Sequence, residues 1–216
     1  MKSNSNIMFK YLLVLFFLIV FSQNALTQRL KIESGVSFSS TKKTMYEERA
    51  NHFQLSIGLD YFDKGFCFLS SNVGYFRKGG KVTLGLVEEY FSSSGVETLY
   101  IDCITVNTTF NLKAQLRKSI FYCGIGPRFD INMKDGVDFN NASIHELVEP
   151  NIPHINKISI GLKCTTGFYY DLFPFQLGIY CDYLPTFTKT FKNSSTNKMF
   201  GNNRTFNIGA SLGYKL

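Results

Sequence analysis

Tryptophan is absent from this sequence and proline occurs only five times, although aromatic residues make up 16% of it. Beyond Gln28 no continuous apolar run reaches the ~18 residues that a membrane-crossing helix needs, so that part of the chain does not cross as a helix. The sequence also lacks H-E-x-x-H, a P-loop and C-x-x-C, which removes the common signatures of zinc hydrolysis, nucleotide binding and thiol redox chemistry. The histidines number three: His52, His145 and His154. Two of them share a stretch with Glu146 and Glu149, a conceivable metal site that reads better as a solvated loop. No catalytic residue, metal or cofactor is assigned, and the chain is not read as an enzyme.

The charge balance excludes another class. The net charge of +7 falls to +5 once Lys2 and Lys10 are removed with the N-terminal segment, and the remaining Lys and Arg are scattered. Nucleic-acid binders gather basic residues on one face, so no nucleic-acid partner is expected. Hydrophobic residues at 44% are too many for a disordered chain.

What is present begins with "MKSNSNIMFK", basic and free of acids, followed by the apolar run "YLLVLFFLIVF" and then "SQNALTQ". A basic start, a short apolar core and small residues after it read as a secretory signal peptide over 1–28, cleaved between about 22 and 28. The mature domain is then 29–216.

Along that domain, apolar residues alternate with small or polar ones, the period of a β-strand. Eight segments carry the pattern: about 30–39, 52–62, 66–77, 99–113, 119–133, 157–171, 175–188 and the closing "RTFNIGASLGYKL". In the fourth the parity changes near Cys103 and Ile104, which predicts a bulge. Three connections are tight, at Asp63–Gly65, Gln115–Lys118 and Leu172–Phe173. Four are long, at roughly 40–51, 78–98, 134–156 and 189–203, and "SIHE" in the third of these predicts a short helix from Ile144 to Pro150. Strict alternation of short and long connections, with an even strand number, is the pattern of an outer-membrane barrel. The expected fold is therefore an all-β, eight-stranded, antiparallel up-and-down transmembrane barrel with short periplasmic turns and long extracellular loops.

The polar faces point the same way. Gly161, Gly167, Gly178, Gly209 and Gly213 lie on them, and a narrow barrel needs small residues inside to make room for larger ones. Candidate interior charges are Asp60, Lys113, Arg128, Asp130, Lys163, Asp182 and Lys215. A turn at Leu172–Phe173 sets Lys163 opposite Asp182, a charge pair, and Gly167 opposite Gly178. The same register sets Cys164 opposite Cys181, where a cross-strand disulfide would fit in an oxidising envelope. All five cysteines (Cys67, Cys103, Cys123, Cys164 and Cys181) fall on the apolar parity. Their odd number and irregular spacing do not make a disulfide framework or a zinc site, and they read as lipid-facing small hydrophobes. Aromatics gather near strand ends, among them Tyr61, Phe62, Phe66, Phe68, Phe168, Tyr169, Tyr170, Tyr75 and Phe76, as the girdles of a membrane barrel do.

"LYIDCITVNTTFNL" at Leu99–Leu112, "FYCGIGPRFDI" at Phe121–Ile131 and the closing "GASLGYKL" resemble the PorT-like outer-membrane β-barrel proteins of Bacteroidetes, a branch of the OmpA/OmpX-like barrels. The resemblance implies insertion by the barrel-assembly machinery, for which Tyr214 matches the aromatic third from the end while Leu216 departs from the terminal aromatic. It further implies a place in the outer membrane of a Gram-negative bacterium, in contact with its lipid, and a part in an envelope or secretion assembly.

The reading is a barrel with a packed polar lumen whose extracellular loops carry a structural or interaction role, with envelope or extracellular proteins as partners. Three alternatives stay open: a secreted lipocalin-like barrel with its apolar faces around a small apolar ligand, a narrow channel, and a lipid-modifying outer-membrane enzyme. The glycine-rich polar faces, the missing tryptophan and the lack of a helix after the last strand count against the first.

Overall fold

Every alternating segment is a β-strand in the computed structural model, which describes residues 29–42, 47–88, 91–139, 155–189 and 202–216. The strands are β1 (Arg29–Lys42), β2 (Ala50–Lys64), β3 (Cys67–Glu88), β4 (Phe91–Leu116), β5 (Ser119–Phe139), β6 (Ile158–Leu172), β7 (Phe175–Pro185) and β8 (Asn202–Lys215). Each pairs antiparallel with its neighbours in sequence, and β8 pairs with β1, so the sheet closes into a barrel. Closure leaves no open sheet edge around the body. The signal segment 1–28 and the "SIHE" helix lie outside the described residues, as do His145 and His154.

The barrel is strongly staggered. Hydrogen-bonded partners followed once round from Lys31 run through Gly58, Asn72, Asn107, Arg128, Gly161, Thr186 and Asn203, and return to β1 at Thr41, ten residues on. Such a stagger obliges the strands to tilt by roughly 35–45° from the barrel axis.

Three strands are longer than their alternation predicts. The segment 78–98, expected as a loop, is the far half of a β3–β4 hairpin paired as far as Glu88 and Phe91. β5 likewise runs on to Phe139. Sequence such as "GGKVTLGLVE" alternates imperfectly, yet backbone pairing with a neighbour carries the ladder past the point where one face is buried.

The expected bulge in β4 is absent. That strand keeps one parity, with Leu99, Ile101 and Cys103 facing inward in line with Thr105, Asn107 and Thr109. The extra residue is Met133 on β5, skipped between the pairs Asp102–Lys134 and Cys103–Asn132. The apparent parity change in the sequence marks instead a change of interior, apolar near the loops and polar below.

The third tight turn is displaced by one residue. Phe173 and Pro174 form it, and Leu172 pairs with Phe175. Proline suits a turn position and cannot donate to a ladder. This shifts the β6–β7 register by two, so Thr165 rather than Lys163 faces Asp182, and Cys164 faces Tyr183 while Cys181 faces Thr166. Cys164 and Cys181 are therefore not opposite, and both are free thiols. Nor does Gly167 face Gly178: each lies opposite a tyrosine, Tyr180 and Tyr169 respectively.

Candidate functional site

The interior is where the ionisable residues converge. β1 contributes Arg29, Lys31 and Glu33, β2 Asp60, β3 Lys78, β5 Arg128 and Asp130, β6 Lys163 and β7 Asp182, all of them buried. They form two groups. In the lower one, Arg29 is bonded to Asp60, Lys31 Nζ lies 2.5 Å from Glu33 and 3.4 Å from Asp60, and Lys163 Nζ lies 3.0 Å from Asp182 and 3.8 Å from Glu33. In the upper one, Asp130 Oδ2 accepts from Lys78 at 3.1 Å, Arg128 Nε lies 3.1 Å from the other Asp130 oxygen, and Arg128 Nη2 donates to Thr186 Oγ1 at 2.8 Å. Mutual attraction offsets the large cost of taking these charges out of water, provided each keeps its partners.

Amides and hydroxyls fill the space between. Gln54 Nε2 donates to Tyr180 OH at 2.6 Å, Asn207 Nδ2 donates to Gln54 Oε1 at 2.5 Å, and Ser56 Oγ donates to Glu33 at 3.1 Å. The cavity they leave, about 20 Å³ among Glu33, Gln54, Asn107, Arg128, Lys163 and Asp182, is the size of a water molecule rather than a pore.

Each end of this polar interior is stoppered. At the turn end Phe68, Ile120, Tyr122 and Tyr169 pack together. Tyr122 and Tyr169 stack at 4.6 Å, and the Arg29 guanidinium sits 4.3 Å from the Tyr169 ring centre. Glycines admit these rings: a methyl at Gly178 would strike Tyr169, and one at Gly167 would lie 2.5 Å from Tyr122 OH. At the loop end Phe76, Ile101 and Cys103 pack against Ile155, which also covers Leu99. Phe68, Phe76 and Tyr169, expected in girdles, are thus interior stoppers.

Of the interior charges named from sequence, Asp60, Arg128, Asp130, Lys163 and Asp182 lie in the central network. Lys113 and Lys215 sit at the turn end, paired with Asp63 and Asp171. Sequence reasoning missed Arg29, Lys31 and Glu33 although the alternation of β1 contains them, and it missed Lys78 by assigning it to a loop. The cysteines divide. Cys123 is exposed and Cys164 and Cys181 half-buried on the outer side, whereas Cys67 is buried and Cys103 faces the interior, 3.1 Å from Asn132 Oδ1. Among the described residues no group of His, Cys, Asp or Glu has metal-binding geometry.

Outside, the relation of polarity to burial is reversed. Ile57, Ile125 and Ile179 are 56%, 53% and 63% exposed while Arg128 and Asp130 are 1% and 0% exposed. Exposed apolar side chains continue through Ile32, Val73, Val106, Ile160 and Ile208, so the band passes round every strand.

No protein-family model matches the chain and no curated protein sequence matches it. Solved structures do resemble it. Neisserial surface protein A is 14% identical, matched over 88% of this chain and 97% of its own, with a TM-score of 0.55. A major outer membrane protein from Thermus thermophilus is 12% identical, over 88% of this chain and 99% of its own, with a TM-score of 0.47. Ail of Yersinia pestis is 11% identical, over 87% and 98%, with a TM-score of 0.39. The first of these shares with this chain the fold of a closed, eight-stranded, all-antiparallel barrel.

Proposed function

We propose that the chain is an integral outer-membrane barrel of a Gram-negative bacterium, exported by the signal segment 1–28 and inserted by the barrel-assembly machinery. The observation that carries this reading is the continuous exposed apolar band around a charged interior. In water such a band would be a large aggregation surface; in a bilayer it is the lipid-facing side of a barrel. The lipocalin-like alternative needs the opposite arrangement. The filled interior makes the barrel a scaffold rather than an open porin, so its work falls to the extracellular face, where the long loops and the β3–β4 hairpin would meet envelope or extracellular proteins. The PorT-like resemblance supports a role beside an envelope or secretion assembly in a member of the Bacteroidetes.

The test is detergent-gel mobility of the membrane fraction, unboiled and boiled. A membrane-bound pool that shifts on heating is expected. A soluble protein with no shift overturns the reading.

A further inference from the structure

Just above the apolar band, at the loop end, the outer surface carries a corner of charged side chains. Asp102 of β4 faces outward there, between Arg77 of β3 and Lys134 of β5, its register partners on either side. Arg77 Nε and Nη2 lie 2.6 and 3.2 Å from the two Asp102 oxygens, and Tyr75 OH donates to Oδ1 at 2.7 Å. The Arg77 guanidinium lies 4.4 Å from the Tyr100 ring centre. Asp102 is thus bonded to Arg77 and flanked in register by Lys134. A guanidinium has five N–H donors, and a carboxylate engages one edge; the Arg77 side chain keeps 35% of its surface exposed. Further round the same rim Arg204 and Arg49 are exposed on either side of Ser40. The acids Glu48 and Asp138 stand farther up the strands, level with Lys81 and Thr98, while Asp135, next to Lys134, pairs with Ile101 on the inward parity.

Directly below this corner the outer face is apolar, with Ile104 and Ile131 and with Met133 65% exposed. The surface is therefore two-part: a fixed guanidinium with a lysine beside it above, a greasy floor beneath. Free phosphate would use the upper part alone, whereas a phospholipid uses both.

We propose that the corner formed by Arg77, Asp102, Tyr100 and Lys134 seats the phosphorylated headgroup of a lipid whose chains lie on the apolar band. Arg77 supplies paired donors to phosphate oxygens, Asp102 and Tyr100 fix its plane, and Lys134 adds a second, mobile charge. This inference rests on the membrane reading above, and it makes the loop end the side that meets the more anionic leaflet.

The experiment reconstitutes the full chain in vesicles of phosphatidylcholine alone and of phosphatidylcholine mixed with phosphatidic acid, then measures retained lipid by native mass spectrometry. Several-fold preferential retention of phosphatidic acid is expected. It should vanish in Arg77→Gln combined with Asp102→Asn, which leaves no orphaned carboxylate, and fall in Lys134→Gln, an exposed change that keeps the test open if the first variant does not fold. Arg117→Gln with Lys118→Gln, at a tight turn on the opposite end, should leave it intact. Absence of preference in a chain that inserts and shifts on heating overturns this inference alone. Equal loss in the turn variant, or equal stabilisation by inorganic phosphate in phosphatidylcholine vesicles, overturns it too. A chain that does not insert overturns the membrane reading with it.

Discussion

Lys163 reaches Asp182 diagonally: Thr165 holds the position directly opposite, yet the ammonium lies 3.0 Å from the carboxylate. The two-residue shift in register leaves the ion pair in place because a lysine side chain spans one step along the strand. The same Nζ lies 3.8 Å from Glu33 on β1, so it ties β6 and β7 to the far wall of the barrel.

Removing that tie should be costly. Lys163→Met leaves Asp182 without its cation in the buried interior, while Glu33 keeps Lys31, and a loss of about 3–5 kcal/mol is expected. Lys163→Met with Asp182→Asn should lose less than the single change, because no orphaned charge remains beside β7. Urea titration of the folded chain in detergent, followed by heat-shifted gel mobility, measures both.

The glycine–tyrosine fit predicts a second asymmetry. A methyl at Gly178 meets the Tyr169 ring and the Ser211 hydroxyl, so Gly178→Ala should cost about 1–3 kcal/mol by overpacking. Adding Tyr169→Ala opens the space. The double variant should then be less destabilised than the two single losses added together, a coupling that the same titration reports.

The apolar band distinguishes lipid from water directly. Ile179 and Ile125 sit near the middle of their outward rows, and lysine at either position should cost about 2–4 kcal/mol at a bilayer midplane. The readout is the fraction of chain that inserts into phosphatidylcholine vesicles and becomes protease-resistant. Unchanged insertion for both lysine variants would place the band in water.

The cysteines give a chemical check on the β6–β7 register. With Cys164 opposite Tyr183 and Cys181 opposite Thr166, five free thiols are expected after denaturation under non-reducing conditions. Mass spectrometry of the alkylated chain counts them. Three labels with a Cys164–Cys181 peptide would instead restore the register that a Leu172–Phe173 turn implies.

Much of the fold was legible because one barrel wall writes its two environments on alternate residues. In β8, Phe206, Ile208 and Leu212 went to one side and Asn207, Ser211 and Gly213 to the other, as the sequence reads. The errors arose where the barrel stops being uniform along its axis. Leu99, Ile101 and Cys103 are apolar yet interior, because the loop-end stopper is apolar, and a rule that sends apolar residues outward inverts them. Phe68 and Tyr169 were misplaced for the same reason at the other end. The register error came from a single residue: Pro174 sits in the turn, and nothing in the alternation of β6 or β7 says where the reversal falls. The rim corner was illegible in a different way, since Arg77, Asp102 and Lys134 come from three strands and meet only through the register that joins them.

The seam between β1 and β8 has a consequence for the order of assembly. Arg29 pairs with Lys215 and Lys42 with Asn202, so the first strand of the barrel finds its second neighbour only in the last. Until then β1 and β8 each present a row of bare amides and carbonyls, and the greasy outer side has nothing to hide it. On the outer-membrane route proposed above, the polypeptide would cross the periplasm in that unfinished condition. On that route its survival would depend on escort until the final strand arrives and the cylinder is sewn shut.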